Sequence, residues 1–158
     1  MAKTQKKLIN VVNGTFGHLW LNGVEVFAVD SFSLELKLDL EEITGNGSFD
    51  VGYKLKKITA EGKFKVQYTD SMGLKDCVKT MQKGKTPTFN LQTSLEDPDQ
   101  YEGQIENIYV GEAWLENLIV ADWEKNKMVG KEFSYKANPM SIDVLKEILD
   151  SEGIKIAA

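Results

Sequence analysis

Ser31-Phe32-Ser33-Leu34-Glu35-Leu36-Lys37-Leu38-Asp39-Leu40 is the stretch that decides the fold class. Successive side chains of an extended chain point to opposite faces. Phe32, Leu34, Leu36, Leu38 and Leu40 therefore share one face, and Ser31, Ser33, Glu35, Lys37 and Asp39 share the other. This period of two predicts a half-buried β-strand with the most regular polar face in the chain.

Working outward, Thr15–Leu21 and Val24–Val29 are rich in β-forming residues and are joined by Asn22-Gly23. Both residues tolerate the positive φ of a type I′ turn, so a β-hairpin is expected there. Downstream, segments 52–59 and 63–69 flank Ala60-Glu61-Gly62, with Phe64, Val66 and Tyr68 on one face and Lys63, Lys65, Gln67 and Thr69 on the other. A second hairpin is expected, turning at Ala60-Glu61-Gly62. Between these units lies Glu41–Val51, in which Glu41, Glu42, Ile43, Thr44, Gly45, Asn46, Gly47, Ser48 and Phe49 carry little to anchor them. The segment reads as an exposed loop.

From Ser71 to Gly84 the period changes: Met72, Leu74, Val78 and Met81 fall near helical spacing, Asp70 or Ser71 can cap the start, and Gly84 suits the end. After Pro87 the strand pattern resumes in Thr88–Leu95, then in 104–110, 112–124 and 128–135 beyond a polar turn at 96–103. Past Pro139, the residues Ile142, Leu145, Ile148 and Leu149 suggest a short amphipathic helix over 141–151, packed on its own subunit or on a neighbour. The expected fold is mainly β, an antiparallel barrel or sandwich of eight or nine strands with one flanking α-helix and a short C-terminal helix. One domain over residues 1–158 is expected, with 1–12 as a flexible N-terminal arm and 137–158 as a C-terminal extension.

Composition narrows the function. Hydrophobic residues are 42% and charged residues 27%, the balance of a soluble globular chain, and no apolar run approaches the roughly 20 residues of a spanning helix. The basic start is followed by an apolar run broken at Asn10, so neither a signal peptide nor membrane insertion is expected. Asn13-Gly14-Thr15 and Asn46-Gly47-Ser48 then read as turns rather than glycosylation sites. The net charge is −5 and the basic side chains are all lysine. The lack of arginine weighs against nucleic-acid reading, because its planar fork makes the commonest base contact. Lys54, Lys56, Lys57, Lys63 and Lys65 form a basic patch, but the neighbouring aromatics alternate onto the opposite face and read as core.

No catalytic, metal or cofactor constellation emerges. His18 alternates with Phe16 and Trp20 and reads as a sheet residue, and Cys77 as a small apolar residue within the helix. One cysteine and one histidine do not make a four-ligand zinc site. Glu41-Glu42 and Glu96-Asp97-Pro98-Asp99 lack the spacing of a calcium loop, and Gly45-Asn46-Gly47 lacks that of a phosphate loop. Charge is segregated along the chain: residues 86–124 hold nine acids and no base, and residues 52–85 hold nine lysines and three acids. Lys54, Lys56, Lys63 and Lys65 could meet Glu106, Glu112 and Glu116 within one fold or across subunits of a head-to-tail ring.

The stretch Ile9-Asn10-Val11-Val12-Asn13-Gly14-Thr15-Phe16-Gly17-His18-Leu19-Trp20-Leu21-Asn22-Gly23 resembles the opening of the tail tube proteins of PBSX-like defective prophages and related contractile tails. The likeness runs on through Ser31–Leu36, the lysine-rich segment ending at Tyr68, the helix, and Asn107-Ile108, and is least clear in the last twenty residues. It implies a barrel or sandwich with a flanking helix, assembling into hexameric rings that stack into a hollow tube inside a contractile sheath. The partners it implies are further copies of the chain, together with sheath, baseplate and tape-measure proteins. DNA would be only a passing cargo. The site of action would be the host cytoplasm during assembly and then the virion or tail-like particle. On that basis Glu41–Phe49 is the expected inter-ring stacking loop, and Ser31, Ser33, Glu35, Lys37 and Asp39 are either part of the lumen wall or a plain solvent face. A small-molecule-binding β-barrel is the alternative from another class.

Overall fold

The computed structural model describes residues 8–100 and 103–149. The chain runs through β1 (Gly17–Leu21), β2 (Val24–Glu25), β3 (Val29–Thr44), β4 (Val51–Gln67), α1 (Leu74–Gln82), β5 (Thr88–Leu95), β6 (Glu106–Leu115), β7 (Gly130–Ala137) and β8 (Ile142–Lys146). All strand pairs are antiparallel, in the order β2-β1-β5-β6-β7-β4-β3 with β8 also on β6. The mainly β expectation holds, but the sheet does not close: β2 and β3 remain at opposite ends of the ladder. The fold is therefore open, not a barrel.

One edge of β6 is shared. Residues 107–110 pair with β8 and residues 113–115 with β7, and the chain passes between these partners through a single 3₁₀ turn at Pro139–Ser141. Glu106–Leu115 is one strand that runs through Gly111, where two strands meeting at that glycine were expected; 116–129 contains no strand. β7 pairs with β4 along its whole length, so β1-β5-β6-β8 and β7-β4-β3 fold over each other and enclose the core. Leu19, Leu91, Val110 and Ala113 come from the first group, and Ala60, Phe64, Val66, Phe133 and Tyr135 from the second. Phe89 of β5 meets Tyr135 of β7 edge-on at 6.1 Å, an aromatic tie between them.

The Asn22-Gly23 turn forms with φ of 50° and 82°, as a type I′ hairpin needs. Gly14–Phe16 is a 3₁₀ turn, so β1 starts two residues later than expected, and only Val24–Glu25 of the second segment pairs with it. α1 lies inside the expected 71–84 span, and Gly84 at φ 77° ends it. Its first turn carries no side-chain cap; the Asp70 carboxylate instead accepts from the Met72 N–H. Of the expected arm 1–12, residues 1–7 lie outside the described residues, and the Asn10 side chain donates to the Asp99 carbonyl.

Two further expectations are corrected. Ala60-Glu61-Gly62 is no turn: it sits inside the 17-residue strand β4, which pairs with β3 from Val66 to Val51. The glycine answers a different need, since the Tyr135 hydroxyl crosses over it to donate to the Ser33 carbonyl at 2.8 Å, and a Cβ there would lie 2.6 Å from that hydroxyl. The second correction concerns 141–151, where a helix was expected. Ile142–Lys146 is β8, laid on the edge of β6 that β7 leaves open, and 150–151 lie outside the described residues. Ile142 and Val144 also alternate at period two, and an unfilled ladder decided between the periods.

Candidate assembly surface

The long strands β3 and β4 make one hairpin whose turn is only Gly45–Asp50; Glu41–Thr44 of the expected loop belong to β3. A two-residue against one-residue bulge at Lys56, where Asp39 pairs with Lys57 and Leu40 with Leu55, adds local twist. β7 covers the outer edge of β4 only over residues 60–67. The strand from 51 to 59 therefore extends past the body as a two-stranded arm roughly 30 Å long, at about 3.3 Å per residue.

The arm has two unlike faces. Register places Leu36, Leu38 and Leu40 opposite Ala60, Ile58 and Leu55 on one side, and Tyr53 opposite Glu42 farther out on the same face. Near the body this face is core, through Phe32, Leu34 and Phe64, but farther out Leu38 is 59% and Tyr53 67% exposed. A two-stranded ribbon with a bare apolar face is marginal alone, and covering each half-exposed leucine contributes on the order of 1 kcal/mol. At the tip, Phe49 is fully exposed, between Ser48 and Asp50.

The opposite face is polar across three strands. Ser31, Ser33, Glu35, Lys37 and Asp39 stand opposite Lys65, Lys63, Glu61, Thr59 and Lys57, and Glu132, Ser134 and Lys136 of β7 extend the rows. Lys37 hydrogen-bonds Glu61, which raises the lysine pKa and lowers that of the carboxylate. Lys63 lies 4.0 Å from Glu132. The five residues singled out in the sequence thus do share one exposed polar face, with five lysines and four acids interleaved.

The charged candidates are not brought together. Lys54 pairs in register with Glu41, Lys56 occupies the bulge, and Lys63 and Lys65 lie beside β7. Glu106 and Glu112 sit on β6 and Glu116 just beyond it, with Glu112 accepting from the Asn138 amide at 3.2 Å. Among the described residues no ion pair joins these lysines to these acids. Sequence reasoning missed a further feature, an open groove of about 790 Å³ between α1 and the β1–β2 end of the sheet. Val26, Phe27, Leu74, Cys77, Leu118 and Lys131 are among its walls, and no residue of α1 is buried. The signal available was Lys131, a lysine at a core-facing position in the alternation Lys131, Phe133, Tyr135, Ala137.

The His18 ring meets Glu25 at 3.0 Å and Glu96 at 4.0 Å, with no hydroxyl or thiol nucleophile bonded to it. Burial pushes the Cys77 thiol up from its ordinary pKa, away from thiolate reactivity. Among the described residues no three His, Cys, Asp or Glu side chains could hold a metal ion, and no helix is long and apolar enough to cross a membrane.

The open antiparallel sheet with its one helix is a tube-like fold, similar to that of tube proteins in contractile injection systems. The cap that terminates the tube of the anti-feeding prophage superposes with a TM-score of 0.69 at 12% identity, covering 93% of this chain and 96% of that one. A chain of the sheath–tube complex of the PVC extracellular contractile injection system, in its extended state, superposes with a TM-score of 0.65 at 13% identity, covering 90% and 99%. A chain of the anti-feeding prophage baseplate gives a TM-score of 0.51 at 10% identity, covering 83% and 93%. No curated protein matches the sequence. The family model of the phage tail tube protein, DUF2001, matches residues 5–140, and the chain belongs to that family. It is a structural protein of the phage-tail-tube type.

Proposed function

We propose that the chain is the repeating subunit of the inner tube of a contractile phage tail or tail-like particle, forming stacked hexameric rings around a central channel. The observation that carries this reading is the arm of β3 and β4, whose apolar face beyond Leu34 finds no cover on its own chain. A stable monomer rarely exposes such a contiguous apolar strip, and a second copy supplies the cover. The arm and its tip, Glu41–Phe49, make the contact between successive rings. The polar face of β3, β4 and β7 lines the channel, where interleaved charge without arginine gives a passing polyanion no binding site. The free edge of β3 meets a neighbour's edge, which removes an exposed ladder. Lys54 and Lys56, on the arm beyond the cover of β7, face Glu106, Glu112 and Glu116 of an adjacent subunit, while Lys63 and Lys65 belong to the channel face. Sheath and baseplate subunits meet the outside, a tape-measure protein occupies the channel during assembly in the host cytoplasm, and DNA crosses it as cargo.

Negative-stain electron microscopy of the concentrated protein, with size followed by light scattering, tests this. Rings or hollow tubes are the expected result. A sample that stays monomeric at every concentration, with and without preformed tube ends as seeds, overturns it.

A further inference from the structure

The groove beside α1 has one feature that its apolar walls do not explain. Lys131 is only 5% exposed, yet it lines the groove and has no carboxylate partner among the described residues. Its ammonium stands 4.4 Å over the Tyr68 ring, which orients the cation without neutralising it. Glu25, Asp70 and Asp76 are also on the groove, but they are exposed and form no ion pair with Lys131. A buried cation in an apolar hollow fits a ligand that brings a carboxylate beside an apolar or aromatic group. The chain presents that combination on itself: Phe49, wholly exposed at the tip of the arm, is followed directly by Asp50.

We propose that Phe49 and Asp50 at the arm tip of one copy seat in the α1 groove of a second copy, the ring filling the hollow and the carboxylate meeting Lys131. Knob and hole lie on different parts of the surface, so the contact is head-to-tail and propagates without closing on a pair. The inference rests on the assembly reading above and names the receptor that reading leaves open. Lys85, also on the groove, adds a second positive charge for the Asp50 carboxylate.

Cys77, the only cysteine of the chain, lines the groove and provides the test. A Ser48→Cys, Cys77→Ser variant carrying a size tag, which keeps Phe49 and Asp50 at the tip, is mixed with the untagged natural chain under assembly conditions and treated with a short bismaleimide. A cross-linked heterodimer is expected, and a Ser33→Cys, Cys77→Ser control on the polar face should yield none. Separately, Asp50→Asn and Lys131→Met should each raise the concentration at which scattering begins by about tenfold, and the double variant by no more than either alone. Tubes that form without the heterodimer, or Lys131→Met protein that assembles at the natural threshold, overturn the contact and leave the tube reading standing. Natural protein that never assembles removes both.

Discussion

Gly62 and Tyr135 show how closely β3, β4 and β7 are bound. The Tyr135 phenol is buried, stacks near Phe64 and Phe32, and crosses Gly62 to reach the Ser33 carbonyl. Gly62→Ala should lower stability by about 1–3 kcal/mol, because the added methyl meets both the phenol and the facing backbone, and urea midpoints would measure the loss. Burial also pushes the phenol pKa well above its ordinary value of 10.0. A raised pKa means that the folded state holds the proton more tightly, so this contribution is complete below pH 10 and is lost as pH climbs toward the folded value. Tyr135→Phe should cost about 1 kcal/mol at neutral pH, yet flatten the fall of stability above pH 10, as read from denaturation at stepped pH. Gly62 was legible in the sequence only as a turn residue. Glycine serves turns and close approaches alike, and the second use depends on a tyrosine 73 positions away.

At the scale of the element, the arm dominates. Replacing Ile43–Phe49 by a two-residue Asn-Gly turn removes the tip while leaving the ladder beside β7 intact. The core midpoint should move by less than about 0.5 kcal/mol while tube formation is lost; the midpoint is read by denaturation and the tubes by microscopy. Retention of full-length tubes would show that the tip has no part in stacking. The alternation at Ser31–Leu40 foretold the strand and both its faces, because period two states orientation directly. It did not foretell that Leu36, Leu38 and Leu40 stay uncovered, since a pattern records which side is apolar and not what lies against it. Likewise Ile142–Lys146 carried helical and extended spacing together, and the vacant half of the β6 edge settled the matter.

For the whole molecule, ion pairs among the described residues leave the charges of the lysine-rich and acid-rich segments largely unpaired. Lys54→Glu with Lys56→Glu lies on the projecting arm, so it should leave thermal stability nearly unchanged, raise the assembly threshold several-fold, and lose that effect in high salt as screening shortens the reach of charge to about 3 Å at 1 M. A sharp drop in melting temperature with normal assembly of the remaining folded protein would assign the pairing to a single subunit. The segregation was plain in the sequence, whereas its geometry was not, because spacing along a chain says little about distance between strands. The groove was invisible for the same reason: its walls come from β1, β2, β4, α1, β5, β6 and β7, and only Lys131 broke a local pattern.

The arm also has a mechanical consequence. Tension between its tip and the body runs along two covalent backbones in parallel, both entering the sheet at the end where β7 grips β4. The cross-strand hydrogen bonds lie perpendicular to that pull and are not peeled apart. Under traction such a tether does not unravel from the tip; with the tip seated on a second copy as proposed, the seat would yield first and the tether would be recovered intact.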